Sequence, residues 1–139
     1  MENQYTLKIY PAGMGRTVYR VIEISGKETL ETLCDVILSA YDFDDEHLYE
    51  FCMDCKLSSG RSYLSRLEND RPSVKAELDE LDLSKGQKFF LHYDFGDDWM
   101  FTINVQKIKE VSEIMEPCVI KEKGSVEQYP DWDDFEDFQ

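Results

Sequence analysis

The hydrophobic positions of this chain change their period several times, and each change marks an element. Tyr5, Leu7 and Ile9 alternate with Thr6, Lys8 and Tyr10, the period-2 pattern of a strand with one buried face. Pro11-Ala12-Gly13-Met14-Gly15 interrupts it. A β-branched run from Thr17 to Ile24 then resumes, which predicts an antiparallel hairpin with a five-residue connection. From there the period becomes helical. Leu30, Leu33, Cys34, Ile37, Leu38 and Tyr41 form one apolar stripe, with Glu31 and Asp35 outside it. Ser25 and Glu28 have capping-box spacing, and Thr29 is the alternative cap. Cys34 lies inside the stripe, so it reads as a core residue and not a reactive thiol.

After the turn at Asp42-Phe43-Asp44-Asp45-Glu46, residues 47–53 predict a third strand. Ser58-Ser59-Gly60 marks a flexible loop, periodicity is weak as far as Pro72, and a short helix is expected over 74–81 with Ser73 as its N-cap. The densest pattern follows. Phe89, Leu91, Tyr93 and Phe95 alternate with Phe90, His92 and Asp94, and after Gly96-Asp97-Asp98 the alternation resumes with Trp99, Phe101, Ile103 and Val105 on one face. Two such strands around a Gly-Asp turn predict a β-hairpin, with Gly96 supplying the positive φ.

Hairpin, helix, strand, irregular connection and a further long strand is the order of a β-grasp (ubiquitin-like) core. The expected fold is therefore α+β: a mixed sheet crossed by one main helix, its final long strand beside the first, extended by the additional hairpin strand Trp99 to Ile108. Residues 1–128 then form one domain. Residues 129–139 form an acidic aromatic tail, in which Tyr129, Trp132, Phe135 and Phe138 recur every third residue, as a roughly helical stripe would.

Composition changes the picture in three ways. At 139 residues and 42% hydrophobic, the chain is large enough for a true core. Its apolar runs are too short to span a membrane, and the N-terminus lacks the charged and apolar regions of a signal peptide, so a cytoplasmic location with reduced thiols is expected. Thirty acidic against fifteen basic residues give a net charge of −15, and the basic residues look scattered along the chain. Such a field repels phosphate backbones, which disfavours direct nucleic-acid binding and suits a basic protein partner.

Three segments resemble the plasmid pRiA4b ORF-3-like family: Tyr41-Asp42-Phe43-Asp44-Asp45-Glu46-His47-Leu48-Tyr49-Glu50-Phe51, the hallmark Tyr93-Asp94-Phe95-Gly96-Asp97-Asp98-Trp99, and Pro117-Cys118-Val119-Ile120 with Gly124. The chain departs from the family pattern at Phe101, where many members have histidine, and at Gln128-Tyr129-Pro130-Asp131, which replaces a Pro-Pro-Glu-Asp-like run. The resemblance implies a mobile-element setting, on plasmids and near insertion elements, and no defined activity.

Candidate chemistry is sparse. Cys52-Met53-Asp54-Cys55 is a C-x-x-C, but structural zinc needs two further ligands, and Cys118 with His47 or His92 completes a set only if folding brings them together. A thioredoxin-like dithiol should open a helix, whereas these cysteines close a strand. Asp44, Asp45, Asp94, Asp97, Asp98 and Asp131 suit a hard cation, yet no EF-hand spacing is present and turn capping explains them equally well. No nucleophile elbow or phosphate-binding glycine loop occurs. The expectation is a non-enzymatic binding or adaptor module without a cofactor, acting through an acidic surface of His47, Asp94, Asp97, Asp98, Trp132, Phe135 and Phe138. The alternative is a metal-dependent enzyme or regulator of mobile-element nucleic-acid processing, built on His47 with Asp94, Asp97 and Asp98.

Overall fold

The computed structural model describes residues 2–43, 49–53, 62–64, 74–93 and 99–125. The hairpin at the start comprises β1 (Glu2–Pro11) and β2 (Tyr19–Ser25), and the helix α1 spans Leu30–Ala40. Then come β3 (Tyr49–Cys52), a three-residue β4 (Ser62–Leu64), a single 3-10 turn (Leu78–Leu81), β5 (Lys88–Tyr93), the long β6 (Trp99–Val111) and β7 (Cys118–Lys123). The strands make one seven-stranded sheet in the order β4-β3-β5-β6-β1-β2-β7.

The α+β class with one crossing helix stands, but the sheet is not mixed. All six strand pairings are antiparallel. The strand beside β1 is β6, expected from the sequence as an extension. It is interposed between β1 and β5, so β5 runs in the direction of β1 without touching it. Length explains the exchange. β6 has 13 residues and pairs with β1 from Glu2↔Val111 to Pro11↔Phe101, whereas β5 has six. The longer strand satisfies more of the backbone groups of β1 and sets Phe101, Ile103 and Val105 against Leu7 and Ile9.

The core lies between α1 and one face of this sheet. Every residue of the predicted helical stripe is buried, from Leu30 to Tyr41. The cap is Thr29 and not Ser25: its hydroxyl accepts from the Thr32 backbone N–H at 3.2 Å. Ser25 instead accepts from the Lys27 N–H at 3.1 Å, closing a turn. At the other end Asp42 takes a left-handed φ of 60°, and the Phe43 N–H donates to the Leu38 carbonyl at 2.8 Å. That geometry stops the helix and turns Phe43 back onto Trp99, ring centroids 4.9 Å apart.

The helix expected over 74–81 is confined to its last turn, and the proposed cap Ser73 lies outside the described residues. The preceding residues have another task. The first amides of α1 lack intrahelical partners, and Leu30 and Glu31 donate theirs to the carbonyls of Ala76 and Val74 at 3.0 and 2.9 Å. This segment thus caps the start of α1 in place of continuing a helix of its own.

Candidate functional site

Alternation along each strand sends one set of side chains to the helix and the other to the open face of the sheet. On the open face the register aligns residues that are far apart in sequence. Lys88 lies opposite Asn104, Asn104 opposite Lys8, Lys8 opposite Val21, and Val21 opposite Lys121. A row across five strands therefore carries a lysine on every second strand, with a spacing of about 9.5 Å set by two strand separations. Beside it runs a second row in which Phe90 faces Thr102 and Thr102 faces Tyr10.

The connection between β1 and β2 folds over this face. Gly15 rests on the ring of Tyr10, where a Cβ would come within 3.1 Å of the aromatic carbons. With Arg16 it walls an open groove of about 770 Å³ lined also by Lys8, Lys88, Phe90 and Asn104. Across Lys8 a second depression of about 370 Å³ continues between Tyr19, Gln106, Ile120 and Lys121. The Lys8 ammonium sits 4.7 Å from the Tyr19 ring centroid and 5.6 Å from that of Tyr10. Lys121 shares the Tyr19 ring at 5.8 Å. Each such contact is worth about 0.5–1 kcal/mol at an exposed site and holds the cation without neutralising it.

The electrostatics of this face run against those of the molecule. Lys109 is paired with Glu23 at 3.6 Å, Lys75 with Glu31 and Lys27 with Asp79. Among the described residues no carboxylate pairs with Lys8, Arg16, Lys88 or Lys121. In a chain of net charge −15, these four cations, two of them (Lys8 and Lys121) resting on aromatic rings, concentrate positive charge on one face.

The residues expected from the sequence lie mostly elsewhere. His47, Asp94, Asp97, Asp98, Trp132, Phe135 and Phe138 fall outside the described residues, as do Asp44, Asp45, Asp131 and Cys55. Cys52 is buried on β3, and its thiol donates to Glu50 Oε1 at 3.3 Å. Glu50 faces His92 across the β3–β5 pair, with His92 Nδ1 3.8 Å from Glu50 Oε1. Cys118 belongs to β7, five strand steps from β3 and so roughly 24 Å away at ordinary strand spacing. It cannot share a zinc ion with Cys52. Among the described residues no group of three or more His, Cys, Asp and Glu side chains is arranged to hold a metal.

Among the described residues the class is α+β, one antiparallel sheet crossed by one α-helix. The chain belongs to the plasmid pRiA4b ORF-3-like protein family, whose model matches residues 3–138. It is similar to a solved structure, a protein of unknown function, MM3350, from Methanosarcina mazei Go1. The two share 26% identity with a TM-score of 0.72, over 90% of this chain and 71% of that one. A search of curated proteins found no match.

Proposed function

We propose that this protein is a non-enzymatic binding module whose open sheet face captures an acidic peptide segment bearing aromatic side chains. The lysine row Lys88–Lys8–Lys121 beside Tyr10, Tyr19 and Phe90 supports this most directly, because it aligns cations and aromatic side chains along one extended path. The sequence led to a basic partner on an acidic surface. The described geometry favours the opposite polarity, with the acidic bulk of the molecule setting specificity. A polyphosphate presents charge over its whole length to a molecule of net charge −15, while a short acidic peptide meets only the local field. No helix among the described residues is long and apolar enough to cross a membrane. Kinship with the β-grasp is likewise a proposal. The opening hairpin and the crossing helix favour it, with β6 as an insertion beside β1.

Fluorescence anisotropy tests the face directly, with a labelled peptide of repeated Asp-Phe-Glu triplets as probe and an oligothymidylate as comparator. Lys8→Glu should weaken peptide binding at least about tenfold, the effect of ~1.4 kcal/mol. Unchanged affinity in Lys8→Glu/Lys88→Glu overturns the assignment, and tighter binding of the oligothymidylate assigns the face to nucleic acid instead.

A further inference from the structure

β7 closes the sheet on one side. It pairs with β2, and among the described residues no strand lies along its outer edge. Such an edge carries backbone donors and acceptors that another extended chain can take up, and lysines directed outward commonly guard it. Here both lysines of β7 are drawn inward over the open face. Lys123 donates to the Arg16 carbonyl at 2.9 Å, and Lys121 lies 5.8 Å from the Tyr19 ring centroid. All of β7 is exposed. Four of the five large hydrophobic residues exposed among the described residues, Ile114, Met115, Val119 and Ile120, lie on it or just ahead of it. Apolar side chains gathered beside an open strand edge are the pattern of a contact surface.

The helix supplies the opposite wall. Thr32, Asp35, Val36 and Ser39 are spaced as one face of α1, outside its buried stripe. They border a groove of about 490 Å³ whose β7 side is formed by Pro117, Val119 and Glu122. The register explains why these residues reach it. Val119 lies opposite the buried Ile22, and Glu122 lies opposite Arg20, which reaches the Ala40 carbonyl of the helix. Lys121 lies opposite Val21 on the open face, where Ile120 also lines the depression beside Tyr19. The groove thus combines apolar Val36, Pro117 and Val119 with two carboxylates, Asp35 and Glu122. The Glu122 carboxylate is 3.8 Å from Arg20 Nε, yet its side chain remains 71% exposed.

We propose that the outer edge of β7 and this groove take a basic segment of a partner protein as an added strand. Backbone pairing with residues 118–123 supplies affinity, and alternate side chains supply selection. Those directed to the helix side are lysine or arginine, whose stems cover Val36 and Val119 while their heads reach Asp35 and Glu122. Those directed to the open face are apolar and cover Ile120. Charge favours this occupant over a second copy of the chain: two molecules of net charge −15 repel, whereas the same field draws in a cationic segment. This edge needs nothing from the lysine row, for which a ligand of the opposite charge is proposed.

The probe is a blocked Arg-Val-Arg-Val-Arg-Val peptide, with Glu-Val-Glu-Val-Glu-Val as comparator, added to the ¹⁵N-labelled full chain. Strand addition predicts that the basic peptide protects the amides of residues 118–123 from exchange. Asp35→Asn/Glu122→Gln should bind it at least about fivefold more weakly, while Glu2→Gln/Glu110→Gln, which removes the same charge from the β1–β6 pair, should change affinity by less than about twofold. The basic peptide N-methylated at its valines keeps its charge but loses backbone donors, and should bind at least about tenfold more weakly. Equal losses in the two paired variants, undiminished binding of the N-methylated peptide, or equal affinity for the comparator overturns the proposal. Protection of the same amides without any peptide, growing with protein concentration, assigns the edge to a second copy and likewise overturns it.

Discussion

The guanidinium of Arg20 lies 4.5 Å from the ring centroid of Tyr41, within the layer between helix and sheet. Arg20 is almost fully buried and donates to three backbone carbonyls, Nε to Ala40 at 3.0 Å and Nη1 to Tyr19 at 2.9 Å and Lys123 at 3.0 Å, with Glu122 Oε2 3.8 Å from Nε. Tyr41 in turn donates its hydroxyl to the Ile9 carbonyl at 2.7 Å. Burial raises the Tyr41 pKa strongly, and the Arg20 charge opposes that rise. One side chain thereby ties the end of α1 to the edge strand β7.

Arg20→Met keeps the stem and removes the donors. It should cost roughly 3 kcal/mol, since buried carbonyls lose charged partners as the cation–π contact disappears. Chemical denaturation gives the loss, and hydrogen exchange should show β7 opening before the rest of the sheet. Uniform exchange across the sheet would refute its role as a local tie.

Tyr5 gives a pH dependence. Its hydroxyl donates to Asp79 Oδ1 at 3.0 Å, and its pKa is pushed up to about 12, first by burial and then by that hydrogen bond and the Asp79 charge. The folded protein therefore holds a proton that the unfolded chain releases near its ordinary value of about 10. This contribution to stability is complete below pH 10 and is lost as pH rises through 12. Tyr5→Phe should flatten that alkaline decline in a series of denaturation curves.

Gly26 is required by close approach and not by its backbone angles. A Cβ there would collide with the Asp79 carboxylate, which accepts from Tyr5 and from the Asn3 amide. Gly26→Ala should destabilise by about 1–3 kcal/mol, the usual cost of forcing an atom into a packed site. If Asp79→Ala makes that cost vanish, the collision is its cause.

The neighbouring aromatic residues of β6 should rank unequally. Phe101 is completely buried between Tyr41 and Phe43, so Phe101→Ala should cost about 3–5 kcal/mol. Trp99 shares its face but is only partly buried at the rim of the core, against Phe43, and Trp99→Ala should cost less. Melting curves of the two variants decide the order.

What the sequence made legible was local. The α1 stripe and the paired strands β1–β2 and β5–β6 are local periodicities and formed where the pattern pointed. β2, however, begins at Tyr19 and not Thr17, which lengthens the expected five-residue connection, and the Gly-Asp turn with Gly96 lies outside the described residues. The exposed β7 has no alternation of burial to betray it, and the three residues of β4 are too few to show a period. The lysine row was invisible for another reason. Lys8, Lys88 and Lys121 look scattered because only the register of β6 against β1, and of β7 against β2, brings them into line. Their alternation with Leu7, Ile9 and Phe89 did place Lys8 and Lys88 opposite the buried face, the one signal that pointed toward them.

The central position of β6 also governs when the fold can be completed. Glu2 pairs with Val111, so β1 must wait for nearly the entire described chain before its second neighbour exists. During synthesis the β1–β2 hairpin presents a long unpaired edge and the bare apolar side chains of Leu7, Ile9, Ile22 and Ile24. Such late, non-local closure slows folding and exposes the nascent chain to association with its neighbours. A stop before residue 99 removes this strand and leaves β1–β2 and β3–β5 without the hydrogen-bonded neighbour that joins them into one sheet.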